Sequence, residues 1–354
     1  MKLLYLNLLL LFISLCCFAQ PEKEKEKEKE KDSTRISAKK FFNEESIVDA
    51  TITAELGPLL ANKNKEVDVK GSFSMTLPDS SVATSDILVR PRGVFRLDNC
   101  FIPPMKVNFK SETPSKLTSL KSLKLVNGCS TGSYNDQLVL KEYMVYKIFN
   151  ILSDMSFRVR LLNLKIEDSK KKKKPILLHS FFIEDLDDVA KRNDCKKWPD
   201  TKKAATESTN RAQMTFVSIF QFMVGNTDWA VPVGHNIKLM SPKQDSLARP
   251  FAIPYDFDYA GLVDANYAMP DERLGTQSVR ERVYRGFPRN MEELRIAIQP
   301  FRDKKDAIYT MIKNFELLTP RNREDMISYL DGFYNSIKSD SDLKLQFIDH
   351  ARSE

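Results

Sequence analysis

Between Ile47 and Val126 the apolar residues tend to return at every second position, and this alternation most restricts what the chain can become. Val67–Met75, Ile87–Phe95, Met105–Lys110 and Leu120–Leu125 each follow it, with Gly, Pro, Asn and Asp as punctuation. Period two places alternate side chains on one face, so these segments demand a half-buried sheet. A helix is expected next: after Asn135, residues Leu138, Tyr143, Tyr146, Phe149 and Leu152 recur at helical spacing, and Asp136 suits the first turn. Phe157–Glu167 and Pro175–Glu184 return to strand. Beyond residue 186 helices are predicted at Asp187–Arg192, Thr209–Val224, Asp271–Tyr284, Asn290–Gln299, Arg302–Leu317 and Asn322–Ser339. Two short strand-like pieces, His235–Met240 and Pro250–Pro254, interrupt them. The expectation is an α+β fold, with a β-rich N-terminal lobe over 46–186 and a mainly helical C-terminal lobe over 187–354.

Composition narrows the class. Of 354 residues, 42% are hydrophobic and 10% aromatic, which excludes a wholly disordered chain. A formal charge of +7 is too small at this length to imply nucleic-acid binding. With 3 His, a His-rich metal enzyme is not indicated, and 11 Gly argue against collagen-like or β-helical repeats.

The N-terminus reads as an export signal. Lys2 precedes the apolar run Leu3–Phe18, and cleavage is expected between Ala19 and Gln20. A lipid anchor on Cys16 or Cys17 is the weaker alternative, since Leu15 is a poor match to the small residue such anchors need. The Glu-Lys alternation Glu22–Lys31 offers nothing apolar to dock, so 20–45 is expected to be a charged tether. The mature protein is thus expected to be secreted or periplasmic, touching membrane only as a peripheral surface. Cys100, Cys129 and Cys195 remain after cleavage: either Cys100 and Cys129 form a disulfide, or all three are buried thiols. The run Lys170–Lys174 separates two strands and reads as a solvated hairpin loop, or alternatively as a patch for an anionic surface.

Chemistry concentrates in two neighbouring stretches. Gly225-Asn-Thr-Asp-Trp runs on to His235-Asn236, and Pro254-Tyr-Asp-Phe-Asp follows a short strand. Together they aim Asp228, Asn236, Asp256 and Asp258 at one place. Phosphoryl transfer to a hydroxyl needs such a set: one carboxylate for the acceptor proton, and an Asn oxygen with a carboxylate to hold Mg²⁺ on the nucleotide.

With Arg90-Pro-Arg-Gly-Val-Phe-Arg and Pro103-Pro-Met-Lys-Val-Asn-Phe upstream, these motifs resemble the CotH kinase family across residues 87–262. The resemblance implies a bilobed, atypical protein-kinase-like fold and Mg-ATP- or Mn-ATP-dependent phosphorylation of a hydroxyl, with a protein substrate or a cell-envelope partner. It implies Asp228 as catalytic base, Asn236 and Asp256 as metal ligands, and Asp258 as a second acidic group. A kinase also needs a strand lysine paired with a helix glutamate. Lys124 and Glu142 have the right order, with Lys106 as the rival lysine, and Glu184 is placed to face the adenine. Asp258 stands where ordinary kinases have glycine, and eight positions separate Asp228 from Asn236, against about five in the ordinary loop. No glycine-rich phosphate loop precedes Lys124, so phosphate grip falls to Arg90, Arg92, Arg96 or the backbone amides of 128–132. The alternative is a kinase-fold binding or scaffold protein without turnover.

Overall fold

The computed structural model describes residues 36–62, 67–109, 115–245 and 247–351. The expected signal, the Glu-Lys run and the lipid-anchor cysteines lie outside the described residues. The expected tether ends sooner than residue 45. Ser37 caps helix α1 (Ala38–Asn43), whose Phe41 and Phe42 are buried, Phe41 lying 6.3 Å from the Phe182 ring.

Seven strands follow. β1 (Val48–Ala54), β2 (Val69–Thr76) and β3 (Val82–Pro91) lead to a short helix α2 (Phe95–Asn99), then β4 (Met105–Asn108) and β5 (Ser122–Asn127). Helix α3 (Ser133–Leu152) intervenes before β6 (Val159–Asp168) and β7 (Ile176–Ile183). They close into a barrel of order β1-β2-β3-β4-β5-β7-β6, antiparallel except where β1 meets β6, with Val48 opposite Leu162. The alternation fills it: Ile52, Phe73, Val89, Val107, Leu125, Leu164 and Phe182 all point inward, and Phe73, Phe109 and Phe182 meet as rings 5.3–6.0 Å apart. This overturns the bilobed kinase-like expectation, because closure leaves no open N-lobe sheet and no free strand edge. Alternation reveals which face of each strand is buried but not that the first strand pairs with the sixth. Phe182→Ala should cost about 3–5 kcal/mol, since its ring lies fully buried among three others; chemical denaturation measures it.

The second core lies outside the barrel. On β7 the residue next to Phe182, Phe181, faces outward and meets Tyr143 and Tyr146 of α3 at 5.8 and 5.5 Å. Helix α4 (Leu186–Arg192) follows, and β8 (Cys195–Lys197), β9 (Ile237–Pro242) and β10 (Phe251–Pro254) make a small sheet. Helix α5 (Arg211–Val224) is buried on nearly every side, and α6 (Met291–Asp303), α7 (Lys305–Lys313), α8 (Pro320–Asn335) and α9 (Asp340–Lys344) pack around it.

The helix expected at Asp271–Tyr284 does not form. Only Glu272–Leu274 turns, ending at Gly275 with φ 73°, and Arg280 ties the segment down through Asp264 and Asp325. Cys100 and Cys129 form a disulfide, whereas Cys195 is a buried thiol. The lysine run is the β6–β7 hairpin loop, where Asp168 accepts the Lys172 and Lys173 N–H groups.

Candidate active site

The loop after α5 begins at Gly225, whose φ of 67° closes the helix and where a Cβ would lie 2.0 Å from the Tyr329 hydroxyl. Only glycine meets both demands. Asn226, fully buried, then accepts the Asp228 N–H through its side chain at 3.0 Å. The Asp228 carboxylate accepts from His235 Nε2 at 2.7 Å and from Asn236 Nδ2 at 2.9 Å. Asn236 Nδ2 donates to the Asp228 carbonyl as well, at 2.8 Å. Its amide hydrogens are therefore spent on Asp228, and its Oδ1 is the atom left to meet a cation. Arg285 holds the loop from outside through the Thr227 and Trp229 carbonyls.

Asp256 and Asp258 lie just beyond the end of β10. The Tyr255 N–H donates to the Asn236 carbonyl at 3.0 Å, continuing the β9–β10 ladder to the mouth of the site. Both chains then leave in left-handed conformations, Asn236 at φ 51° and Asp256 at φ 64°. Asn and Asp tolerate that region best among residues with a Cβ, and such outliers gather at functional sites. The Tyr146 hydroxyl receives the Asp256 N–H at 2.8 Å. Between the two acids, Phe257 is driven into the core against Tyr146 and Phe220, 4.7 and 5.7 Å away. That anchor sets the two acids on either side of one buried ring, Asp256 half-buried and Asp258 buried.

The acids share one field. Burial, then the charge of Asp256, pushes the Asp258 carboxyl up to about 6, with Asp228 adding to the shift. Asp258 accepts the Tyr267 hydroxyl at 3.0 Å, and Arg96 Nη1 stands 3.9 Å away. Glu142, on α3, is enclosed beside them: burial, then Asp258 and Asp256, drives its carboxyl well above the usual range. Its Oε1 has no hydrogen-bond partner. Burial opposes the charge of Arg96, but Tyr267, Asp258, Glu142 and Asp256 hold its pKa above the ordinary value.

The expected Lys124–Glu142 ion pair is not among those of the described residues. Arg96 and Arg92 are the cations whose fields favour the charged form of Glu142, while Lys124 lies over the Tyr255 ring at 4.3 Å. Lys124 faces outward on β5, the side on which α3 packs, but it is drawn to the Tyr255 ring, while the turn bearing Arg96 is fastened to the end of that strand by the Asn127 carbonyl and the disulfide. Burial, then Arg92, lowers the Lys124 pKa to about 8, with Lys238 adding to the shift. Lys106, opposite Lys124 on β4, is exposed on the outer face. Glu184 does not face a nucleotide cleft: its carboxylate is taken by Arg192 at 3.1 Å and the Arg158 N–H at 3.0 Å. Arg90 is held bidentately by Asp68.

Two clefts border this cluster. One, of about 310 Å³, is lined by Leu186, Trp198, Ile237, Lys238 and Leu239. The other, of about 620 Å³, opens on Asp228 and His235. Among the described residues no group of three or more His, Cys, Asp or Glu side chains is arranged as a metal site. The hard oxygens of Asn236, Asp256 and Asp258 instead suit an ion that keeps water and phosphate in its shell. The raised Asp258 and Glu142 carboxyls have burial as their first cause and neighbouring carboxylate charge as the second. Tyr267 escaped notice in the sequence, where nothing local marks it. No family model matches the chain, and no curated protein matches it.

Proposed function

We propose that the site binds a Mg²⁺-nucleotide, ATP by preference, and transfers a phosphoryl group to a hydroxyl. The observation that carries this is the convergence of Asp228, Asn236, Asp256 and Asp258 beside Lys124, Arg92 and Lys238. Such a juxtaposition of acids and cations suits a metal-bridged polyphosphate and is hard to explain as packing. In this reading Asn236 Oδ1, Asp256 and Asp258 hold the ion, which would neutralise developing charge on the phosphoryl group. Lys124 and Arg92 grip phosphate oxygens, and the cleft beside Trp198 and Lys238 takes the base. Asp228, steadied by His235 and Asn236, accepts the acceptor's proton. Arg96 takes over the partnership with Glu142 that a strand lysine holds in ordinary kinases. The resemblance of residues 87–262 to the CotH kinases supports the same chemistry, and the apolar leader supports its location outside the cytoplasm.

A nucleotide- or ligand-binding protein without turnover is the second reading, favoured by the missing Lys124–Glu142 pair. Calorimetry with Mg-ATP followed by a phosphotransfer assay decides: no binding ends both nucleotide readings, and binding without transfer leaves only the second.

The Lys124 pKa carries a pH prediction. Deprotonation above about 8 removes a phosphate-gripping charge, so nucleotide affinity should fall as pH rises through 8. Lys124→Arg should abolish that fall. The folded state lowers the pKa of this base, so the unfolded chain binds more protons, and stability of the free protein should rise between pH 8 and the ordinary lysine value. Affinity that stays flat from pH 7 to 9.5 argues against Lys124 as a phosphate ligand.

A further inference from the structure

The wider cleft has its own chemistry, and we infer that it selects a peptide segment in which an apolar side chain adjoins the hydroxyl presented to Asp228. The inference rests on the phosphotransfer reading and deepens it. The cleft's volume of about 620 Å³ suits a few residues of extended chain. At its floor Asp228 and His235 have side chains 35% and 52% exposed, open to an incoming hydroxyl.

The remaining charges lining the cleft are already engaged with one another or with the backbone. Arg273 grips Asp271 at 2.9 and 2.8 Å, so the pair at the mouth is internally neutral. Arg285 serves the Thr227 and Trp229 carbonyls. Counted with Asp228, the two carboxylates and two guanidiniums that line the cleft cancel, so no net charge is left to choose an acidic or basic neighbour. What stays unsatisfied is apolar: Val233 and Met269 border the cleft at 75% and 71% exposure. Tyr259 continues the wall toward the exposed Phe95 ring, 6.4 Å away. A small polyol reaching Asp228 would leave these side chains in water. A peptide with Leu, Met or Phe beside its Ser or Thr covers them, and the apolar area removed from water supplies the selectivity.

The test uses the intact protein and two fluorescent peptides alike except that Leu and Phe, or Asp and Asn, flank one Ser. Anisotropy without nucleotide reads binding directly. The apolar peptide should bind about tenfold or more tightly, a difference of about 1.4 kcal/mol. Met269→Glu and Val233→Glu should erase that preference; Mg-ATP calorimetry is read in Met269→Glu, whose residue lines only the wider cleft, and should stay as in the parent. Both side chains are exposed, so neither exchange threatens folding. Equal binding of the two peptides, or a preference that survives both exchanges, overturns the inference whatever ATP does. A preference that holds while Mg-ATP fails to bind upholds the cleft's selectivity and removes the phosphotransfer reading instead.

Discussion

Asp256→Asn is expected to lower phosphoryl transfer more than about a hundredfold while leaving the fold intact. Even substitutions behind a metal ligand cost about ten- to a hundredfold, and here the proposed ligand itself is neutralised. The fold should hold because the backbone does the positioning at this residue. Tyr146 receives its N–H, Phe257 anchors the next position, and asparagine accepts φ 64° as readily as aspartate. The same exchange removes a charge that pushes up both Asp258 and Glu142. The free protein should therefore become more stable, by roughly 1 kcal/mol, as is common when a functional site is disarmed. Single-turnover phosphotransfer and thermal melting read the two effects separately. Transfer at the parent rate in Asp256→Asn would falsify the metal-site assignment.

Opening the Cys100–Cys129 bridge should act on the fold and on the site together. The two cysteines are 29 positions apart, and closing a loop of that length stabilises by about 3–4 kcal/mol in the chain-entropy model. The bridge joins the end of α2 to the turn between β5 and α3. Those elements bear Arg96, Lys124 and Glu142. Arg96 reaches Asp258 and the Asn127 carbonyl from that fastened turn. Without the bridge Arg96 can swing away, and Glu142 loses the nearest charge that offsets its burial. The double exchange Cys100→Ser, Cys129→Ser should lower the unfolding midpoint and weaken Mg-ATP binding together. A protein that loses stability yet binds Mg-ATP as before would show that the bridge serves the fold alone.

Much of the local structure was legible because its signals are local. The alternation of Val67–Met75 and Met105–Lys110 became barrel strands, and the periodicity after Asn135 became α3. The motif Pro254-Tyr-Asp-Phe-Asp brings its two acids into one field around the buried Phe257 ring, Asp258 being buried as well. The Lys124–Glu142 pairing failed because it was drawn from element order, and order does not show that a distant turn brings Arg96 to Glu142 while Lys124 settles on Tyr255. The Asp271–Tyr284 helix failed because Arg280 and Arg282 find partners on distant residues, Asp325 and Tyr329, that outweigh a weak local preference. Tyr267 and Arg96 belong to the site only through such distant contacts.

Sequence alone determined the order and type of most elements and the cysteines able to pair, and it singled out Asp228, Asn236, Asp256 and Asp258 as candidates. Periodicity, turn chemistry and side-chain chemistry act within a few residues and survive in a linear text. Tertiary structure decided that β1 closes onto β6, that Arg96 rather than Lys124 answers Glu142, and that two clefts flank the acids. Each of these depends on residues far apart in the chain, brought together by burial of two separate cores, and no local pattern encodes them.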